Sequence, residues 1–164
     1  MSTISVYLQA MEFNRTRTLA TLDDVAKQPQ AQAVLGYRPG PGRAHIAWQL
    51  MHIGITEELF ATERLFGRTP AYSELVPRFK GGSTPDDDIP SADLIRRILN
   101  ESRQHLIETL RHLGDECLQV IPEAFKARNF TFHDVLHILA WHEPHHQGQA
   151  HITFNLYKAS LGKI

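Results

Sequence analysis

The chain has 164 residues, enough for one domain that buries about 70 % of the surface an unfolded chain exposes. Its formal charge of −1 offers no electrostatic attraction to nucleic acid or to an anionic membrane, and no stretch is apolar enough to span a bilayer. The N-terminal residues do not resemble a secretory signal and the single cysteine, Cys117, suits a reducing compartment, so we expect one cytoplasmic domain over residues 1–164.

The first half of the chain predicts two long helices. Apolar residues at helical spacing predict the first from about Thr3 to Ala26. A short helical piece, Ala31 to Leu35, then leads into a loop rich in glycine and proline at residues 36–42. The second long helix is predicted from about Arg43 to Phe66, and a glycine follows it.

A long surface crossover is predicted next, because residues 68–90 contain four prolines and a pair of glycines. The acidic run Asp86-Asp87-Asp88 lies within this segment. We interpret these consecutive carboxylates as solvated side chains and not as a metal site.

Two further long helices complete the predicted fold. The third begins after Ser91, a good N-cap, and ends at Gly114. The fourth runs from Thr131 to about Ser160, and Thr131 with Asp134 resembles a capping box. No segment alternates with the period of a strand. The sequence therefore predicts an all-α four-helix bundle with a long crossover between helices two and three, a fold that builds metal sites between facing helices.

The fourth predicted helix carries the motif H-E-x-x-H at residues 142–146, which is the zinc-protease signature. Two imidazoles four residues apart on a helix point the same way and can share one metal ion. At about 100° per residue, His142 and His146 both fall on the apolar face of this helix. Burying two imidazoles there is costly unless something joins them, so we predict a metal-binding pair.

The other histidines separate by helix face. His133 and His137 have the same spacing but fall opposite the apolar face, as does His151, and we expect them to be exposed. His145 lies at the margin, where it either supports the site or faces solvent. On the second helix His52 lies at the edge of the apolar stripe, and its spacing alone leaves open whether it is a third ligand.

Two familiar metal sites do not fit the sequence. A zinc protease is not expected, because no acidic residue follows Glu143 to act as a third ligand. The longer metzincin motif would need Gly and His where Gln149 and Ile152 stand. A di-iron carboxylate site needs two Glu-x-x-His motifs, and the chain has one. A simpler three-histidine site remains.

The segments around these histidines resemble a known family. Trp48-Gln49-Leu50-Met51-His52-Ile53-Gly54 resembles the second helix of the DinB/YfiT-like superfamily. The spacing His142-x3-His146-x-Gly148-Gln149 is similar to the H-x3-H-[RQ]-G-Q pattern of the same superfamily. The order of the motifs also agrees, and the resemblance covers nearly the whole chain. Gln147 stands where arginine is commoner in the family.

The resemblance implies a four-helix bundle, often a homodimer, that binds one divalent metal ion (Zn, Ni, Fe or Mn). Its implied ligands are His52, His142 and His146. It further implies a metal-dependent enzyme for a small-molecule substrate, either an S-transferase for a low-molecular-weight thiol or a hydrolase. The alternative is a non-catalytic, stress- or damage-inducible bundle in which the metal serves stability or ligand sensing. Neither nucleic acid nor membrane is expected as a partner.

Two residues near the histidine pair are candidates for a catalytic role. Gln149 lies one turn further along the helix, where its amide could orient a ligand or a water molecule. Glu143 is a candidate general base, although we expect a solvated position on the helix surface for its side chain.

Overall fold

A computed structural model describes residues 2–162 and confirms the predicted helical bundle, with no strand in that range. Four long helices and two short ones occur in the following order: α1 Thr3–Ala26, α2 Ala31–Leu35, α3 Ile46–Leu59, α4 Val76–Phe79, α5 Ala92–Arg111 and α6 Phe132–Leu161. The described chain also contains a π-helical segment, Phe60–Arg64, which continues α3, and 3₁₀ segments at Asp115–Cys117 and Glu123–Arg128.

The helix ends follow from local capping. Thr131 and Asp134 form the predicted capping box at the start of α6: the Asp134 amide donates to Thr131 Oγ1 and the Thr131 amide donates to Asp134 Oδ2. The predicted start of α3 at Arg43 is wrong by three residues. His45 caps this helix instead, because its Nδ1 accepts the Trp48 backbone N–H at 3.0 Å.

Helix α3 is the centre of the bundle. It packs against α5 and α6, while α1 packs against the same two helices from the other side. All residues of Ile46–Leu59 are buried, so α3 has no solvated face. At Gly54 the backbones of α3 and α5 come close, since a Cβ there would lie 2.8 Å from Ile98 Cγ2. A buried helix in this position can carry polar side chains only where partners satisfy them.

One charged residue from each long helix meets its partners inside the bundle. These four residues, which we call the ion-pair ring, are Arg15 on α1, Glu57 on α3, Arg103 on α5 and Glu143 on α6. Arg15 pairs with Glu57 at 2.8 Å and with Glu143 at 2.7 Å, and Arg103 pairs with the same two carboxylates. All four side chains are buried, so the ring holds two positive and two negative charges away from water.

The position of Glu143 differs from the one expected from the sequence. A solvated position for its side chain was predicted, but its exposed fraction is 1 %. Both carboxylate oxygens accept hydrogen bonds, one from Arg15 Nε and one from Arg103 Nη2. For Glu57, burial by itself would raise the pKa, but Arg103 and Arg15 outweigh it and hold the pKa below its usual value.

The crossover between α3 and α5 is fastened to one face of α3. Three ring N–H groups one to two turns apart point at its backbone carbonyls. His45 Nε2 lies 3.1 Å from the Asp86 oxygen, and Trp48 Nε1 donates to the Arg78 oxygen at 3.1 Å. His52 Nδ1 lies 2.6 Å from the Phe79 oxygen. The crossover thus has a defined path over the helix that carries the candidate metal ligand.

The acidic run in the crossover pairs with arginines. Asp86 and Asp88 contact Arg78 at 2.8 and 3.0 Å, and Asp87 contacts Arg38 at 2.8 Å. The Asp87 and Asp88 side chains are mostly solvated, as predicted, whereas that of Asp86 is only partly exposed because it pairs with Arg78. No helix within residues 2–162 combines the length and apolar character needed to cross a membrane.

Removing one charge from the ion-pair ring should destabilise the bundle strongly. In Arg103→Met the carboxylates of Glu57 and Glu143 lose a shared partner and stay buried, so we expect the free energy of unfolding to fall by about 3–5 kcal/mol. Urea denaturation followed by circular dichroism measures this. Arg111→Met is the matched control on the same helix, because its pair with Glu12 is solvent-exposed and should change stability by less than about 1 kcal/mol. Equal losses in the two variants would contradict the structural role of the ring.

Candidate metal centre

Three imidazoles meet where α3 faces α6. Helix α3 supplies His52, and α6 supplies His142 and His146 one turn apart. One ring nitrogen from each residue lies within 4.8 Å of those of the other two, and His52 Nε2 is 3.1 Å from His142 Nε2. The structure therefore brings together the three residues that the motif and the family resemblance pointed to.

Hydrogen bonds donated by Nδ1 leave the other ring nitrogen of two of these histidines without a proton. His52 Nδ1 donates to the Phe79 carbonyl, because a carbonyl oxygen can only accept. His146 Nδ1 lies 2.6 Å from Gln49 Oε1 and donates to it for the same reason. In both rings Nε2 then carries the free lone pair, which is the arrangement found in metal-binding histidines.

A tryptophan fixes the His52 ring from the side. The Trp48 and His52 rings stack with centroids 4.6 Å apart and planes 12° from parallel. Trp48 Nε1 donates to the Arg78 carbonyl and to Ser83 Oγ, both at 3.1 Å, so the crossover holds the indole in place. Stacking and hydrogen bonding together leave His52 little rotational freedom.

The three imidazoles are neutral at physiological pH. Burial is the largest cause in each case. Burial, together with the charges of His52 and Arg64, lowers the pKa of His142 to about 3. It lowers the pKa of His146 to about 2, helped by His142 and His52. For His52 burial also lowers the pKa, and the hydrogen bond to the Phe79 carbonyl opposes it. Neutral imidazoles keep the lone pairs that a metal ion needs.

The two candidate catalytic residues have other partners. Gln149 does not point at the histidine cluster: its Oε1 accepts from Gln49 Nε2 at 3.0 Å and its Nε2 donates to His145 Nε2 at 2.7 Å. Glu143 belongs to the ion-pair ring, so its carboxylate faces the bundle interior. His145 is exposed and stacks on Trp141 with ring centroids 4.5 Å apart.

The remaining histidines of α6 lie outside the cluster. His137 and His151 are exposed, as predicted. The prediction is wrong for His133, which is half-buried because Tyr7 of α1 covers it, with the Tyr7 hydroxyl 3.3 Å from His133 Nε2. No third metal-binding side chain joins the His133/His137 pair among the described residues.

Sequence reasoning did not identify Gln49 as part of this centre. The signal that could have found it is spacing: Gln49 precedes His52 by three residues, so both side chains lie on one face of α3. The carbonyl of Phe79 has no side-chain signature, and only the path of the crossover reveals its role.

Comparison with known proteins identifies one family. The model of the DinB superfamily matches residues 10–150, a range that includes α3, the crossover and all three histidines of the cluster. No curated protein matches the sequence.

Stability of the metal-free protein should fall as the pH is lowered from 7 to 5. In the folded state His142 and His146 stay neutral over this range, whereas in the unfolded chain they gain protons below a pKa of about 6.5. The unfolded state then binds more protons, so each of these partly buried imidazoles costs about 1–2 kcal/mol of stability by pH 5. Urea denaturation with a chelator present, at several pH values, measures the slope.

Variants identify the histidines responsible for that slope. His146→Leu should reduce it, because one of the two partly buried imidazoles is gone. His137→Leu replaces an exposed histidine of the same helix and serves as the control. An identical slope in His146→Leu and the unmodified protein would show that burial of this imidazole does not govern the pH dependence.

Proposed function

This chain belongs to the DinB superfamily, and from that premise we propose that it binds one divalent metal ion through His52, His142 and His146. We further propose that it is a metal-dependent enzyme that transfers a low-molecular-weight thiol to an electrophilic small molecule. The observation that carries the proposal is the cluster of three neutral imidazoles, two of them oriented by hydrogen bonds at Nδ1.

The donor set fits a catalytic metal site. Three protein ligands are typical of catalytic zinc sites, whereas structural zinc sites use four. An all-imidazole set suits Zn, Ni or Fe better than Mn, which prefers oxygen ligands. A divalent ion bound here would supply Lewis-acid chemistry that favours the ionised form of a bound thiol or water.

The surroundings of the cluster favour thiol transfer over hydrolysis. A thiolate is itself the nucleophile, so transfer needs no separate general base. Hydrolysis profits from a positioned base, but the buried carboxylates of Glu57 and Glu143 are committed to arginines, and that of Glu58 is committed to His105 and the Ala71 amide. Burial is the main cause of the lowered pKa of His52 and His142, and the positive charge of Arg64 adds to it; the same positive charge would favour a thiolate. In the transfer the thiol proton passes to solvent, a sulfur–carbon bond forms, and the leaving group departs with the electrons of its bond.

We also propose a homodimer, as the family resemblance implies, and α6 has an exposed surface that could form its interface. Trp141, Ile152 and Leu156 are exposed apolar residues spaced three turns and one turn apart, so they share a face of the helix. Exposed apolar side chains in a row are typical of protein interfaces.

Metal binding should depend on the three histidines of the cluster and not on the other histidines of the chain. We expect the protein to bind one equivalent of Zn²⁺ or Co²⁺, and His142→Ala or His146→Ala to lose this stoichiometric binding. His137→Ala removes an exposed histidine from the same helix and should bind normally. Elemental analysis and isothermal titration give the stoichiometry. If His137→Ala lost as much metal as His142→Ala, the assignment of the site would be wrong.

Activity assays separate the candidate reactions. The metal-loaded protein should accelerate consumption of an electrophile such as monochlorobimane only when a low-molecular-weight thiol is present, and His52→Ala should abolish the acceleration. Turnover of an ester or amide without thiol would instead identify a hydrolase. A non-catalytic bundle would show a lower melting temperature after metal removal, with no turnover of either substrate class.

A further inference from the structure

A chain of side-chain hydrogen bonds leads away from His146 across the interface between α3 and α6. His146 Nδ1 donates to Gln49 Oε1 at 2.6 Å, and Gln49 Nε2 donates to Gln149 Oε1 at 3.0 Å. Gln149 Nε2 then donates to His145 Nε2 at 2.7 Å. We call Gln49 and Gln149 the amide pair. It joins residues one hundred positions apart in the sequence.

The direction of this chain is set by the chemistry at its inner end. For His146 to present its Nε2 lone pair to the cluster, its Nδ1 must carry the proton and donate. Gln49 must therefore turn its oxygen to His146 and its nitrogen outward. Gln149 continues the pattern, oxygen inward and nitrogen outward. Each link is satisfied in the one arrangement that suits a metal-binding His146.

We propose that Gln49 is a positioning residue for His146, and that Gln149 acts through it by fixing the orientation of the Gln49 amide. This inference rests on the proposed metal site and assigns a role to the Gln149 of the Gly148-Gln149 motif. An amide at position 49 satisfies both neighbours, because it accepts from His146 on one side and donates to Gln149 on the other. Residues that orient a metal-binding histidine in this way typically change metal affinity about 10- to 100-fold when replaced.

Burial strengthens the argument for Gln49. Its exposed fraction is 6 %, so water cannot replace its hydrogen bonds readily. Gln147 provides a contrast two residues before Gln149. Its Nε2 donates to Thr21 Oγ1 at 2.9 Å on α1, away from the cluster. Two glutamines of α6 thus make interhelical hydrogen bonds of similar length, and only one of them is connected to the histidines.

The test compares Co²⁺ dissociation constants and Co²⁺ absorption spectra in five forms of the full-length protein. Gln49→Leu removes the acceptor for His146, and we expect about 10- to 100-fold weaker binding with an altered spectrum. Gln149→Leu leaves that acceptor in place but frees its orientation, so a smaller loss is expected. Gln147→Leu is the matched control and should bind as the unmodified protein does.

Gln49→Glu distinguishes positioning from a general structural role. A carboxylate still accepts from His146 Nδ1 and raises the basicity of the ring, so Co²⁺ affinity should equal or exceed that of the unmodified protein. The same buried charge should lower the melting temperature of the metal-free protein. Opposite changes in metal affinity and apoprotein stability are not expected from a residue that only holds the fold together.

Several results would overturn the inference. Unchanged affinity in Gln49→Leu would do so, as would equal losses in Gln147→Leu and Gln149→Leu, or Gln49→Glu binding no better than Gln49→Leu. The unmodified protein, measured in the same series, separates these outcomes from failure of the proposed function. If it bound no Co²⁺, the metal site itself would be refuted and the positioning role with it. Since Gln149 is only partly buried, Gln149→Leu also provides a result should Gln49→Leu fail to fold.

Discussion

The ion-pair ring is the constraint on which the rest of this bundle depends. Apolar burial is non-directional, so by itself it distinguishes only weakly between alternative helix registers that bury a similar area. Buried charges do not tolerate a shift in register, because a displaced carboxylate leaves an arginine without its partner. The ring takes Arg15, Glu57, Arg103 and Glu143 from the four long helices, so it sets the register of all four at once. The cluster of imidazoles lies on two of these helices and inherits their register.

The crossover adds a second constraint at the other side of the cluster. Its backbone carbonyls accept from the rings of Trp48 and His52, whose side chains would otherwise leave buried N–H groups unsatisfied. The ion-pair ring sets the register of the helices, and the crossover orients His52. Gln49 of the amide pair contacts His146. Once the helix register is fixed, the contacts of the crossover and of the amide pair further restrict the orientations that the imidazole rings can adopt.

Much of this could be predicted from the sequence, and the failures have physical reasons. The bounds of α1 and α2 and the apolar-face positions of His142 and His146 follow from helical periodicity, which is a local property. Glu143 was misplaced because a helix-face argument counts carboxylates as solvent-facing. Its burial depends on Arg15 and Arg103, which are distant in sequence and become neighbours only when the helices pack. Gln49 was overlooked for the same reason, since its partners lie on another helix.

The motif H-E-x-x-H shows how packing, more than spacing, decides chemistry. Adjacent residues on an α-helix differ in direction by about 100°, so Glu143 points to one side of the face that carries His142 and His146, and the neighbouring helices decide what it meets there. In this bundle the face that carries His142 and His146 packs against α3, whereas the Glu143 side chain contacts the arginines of α1 and α5. The charge of the glutamate that would be a general base in a protease is thereby balanced by two arginines in a structural ion pair. The residues of this motif therefore serve two purposes. The histidines remain available to a metal ion, and the carboxylate holds together the helices that carry them.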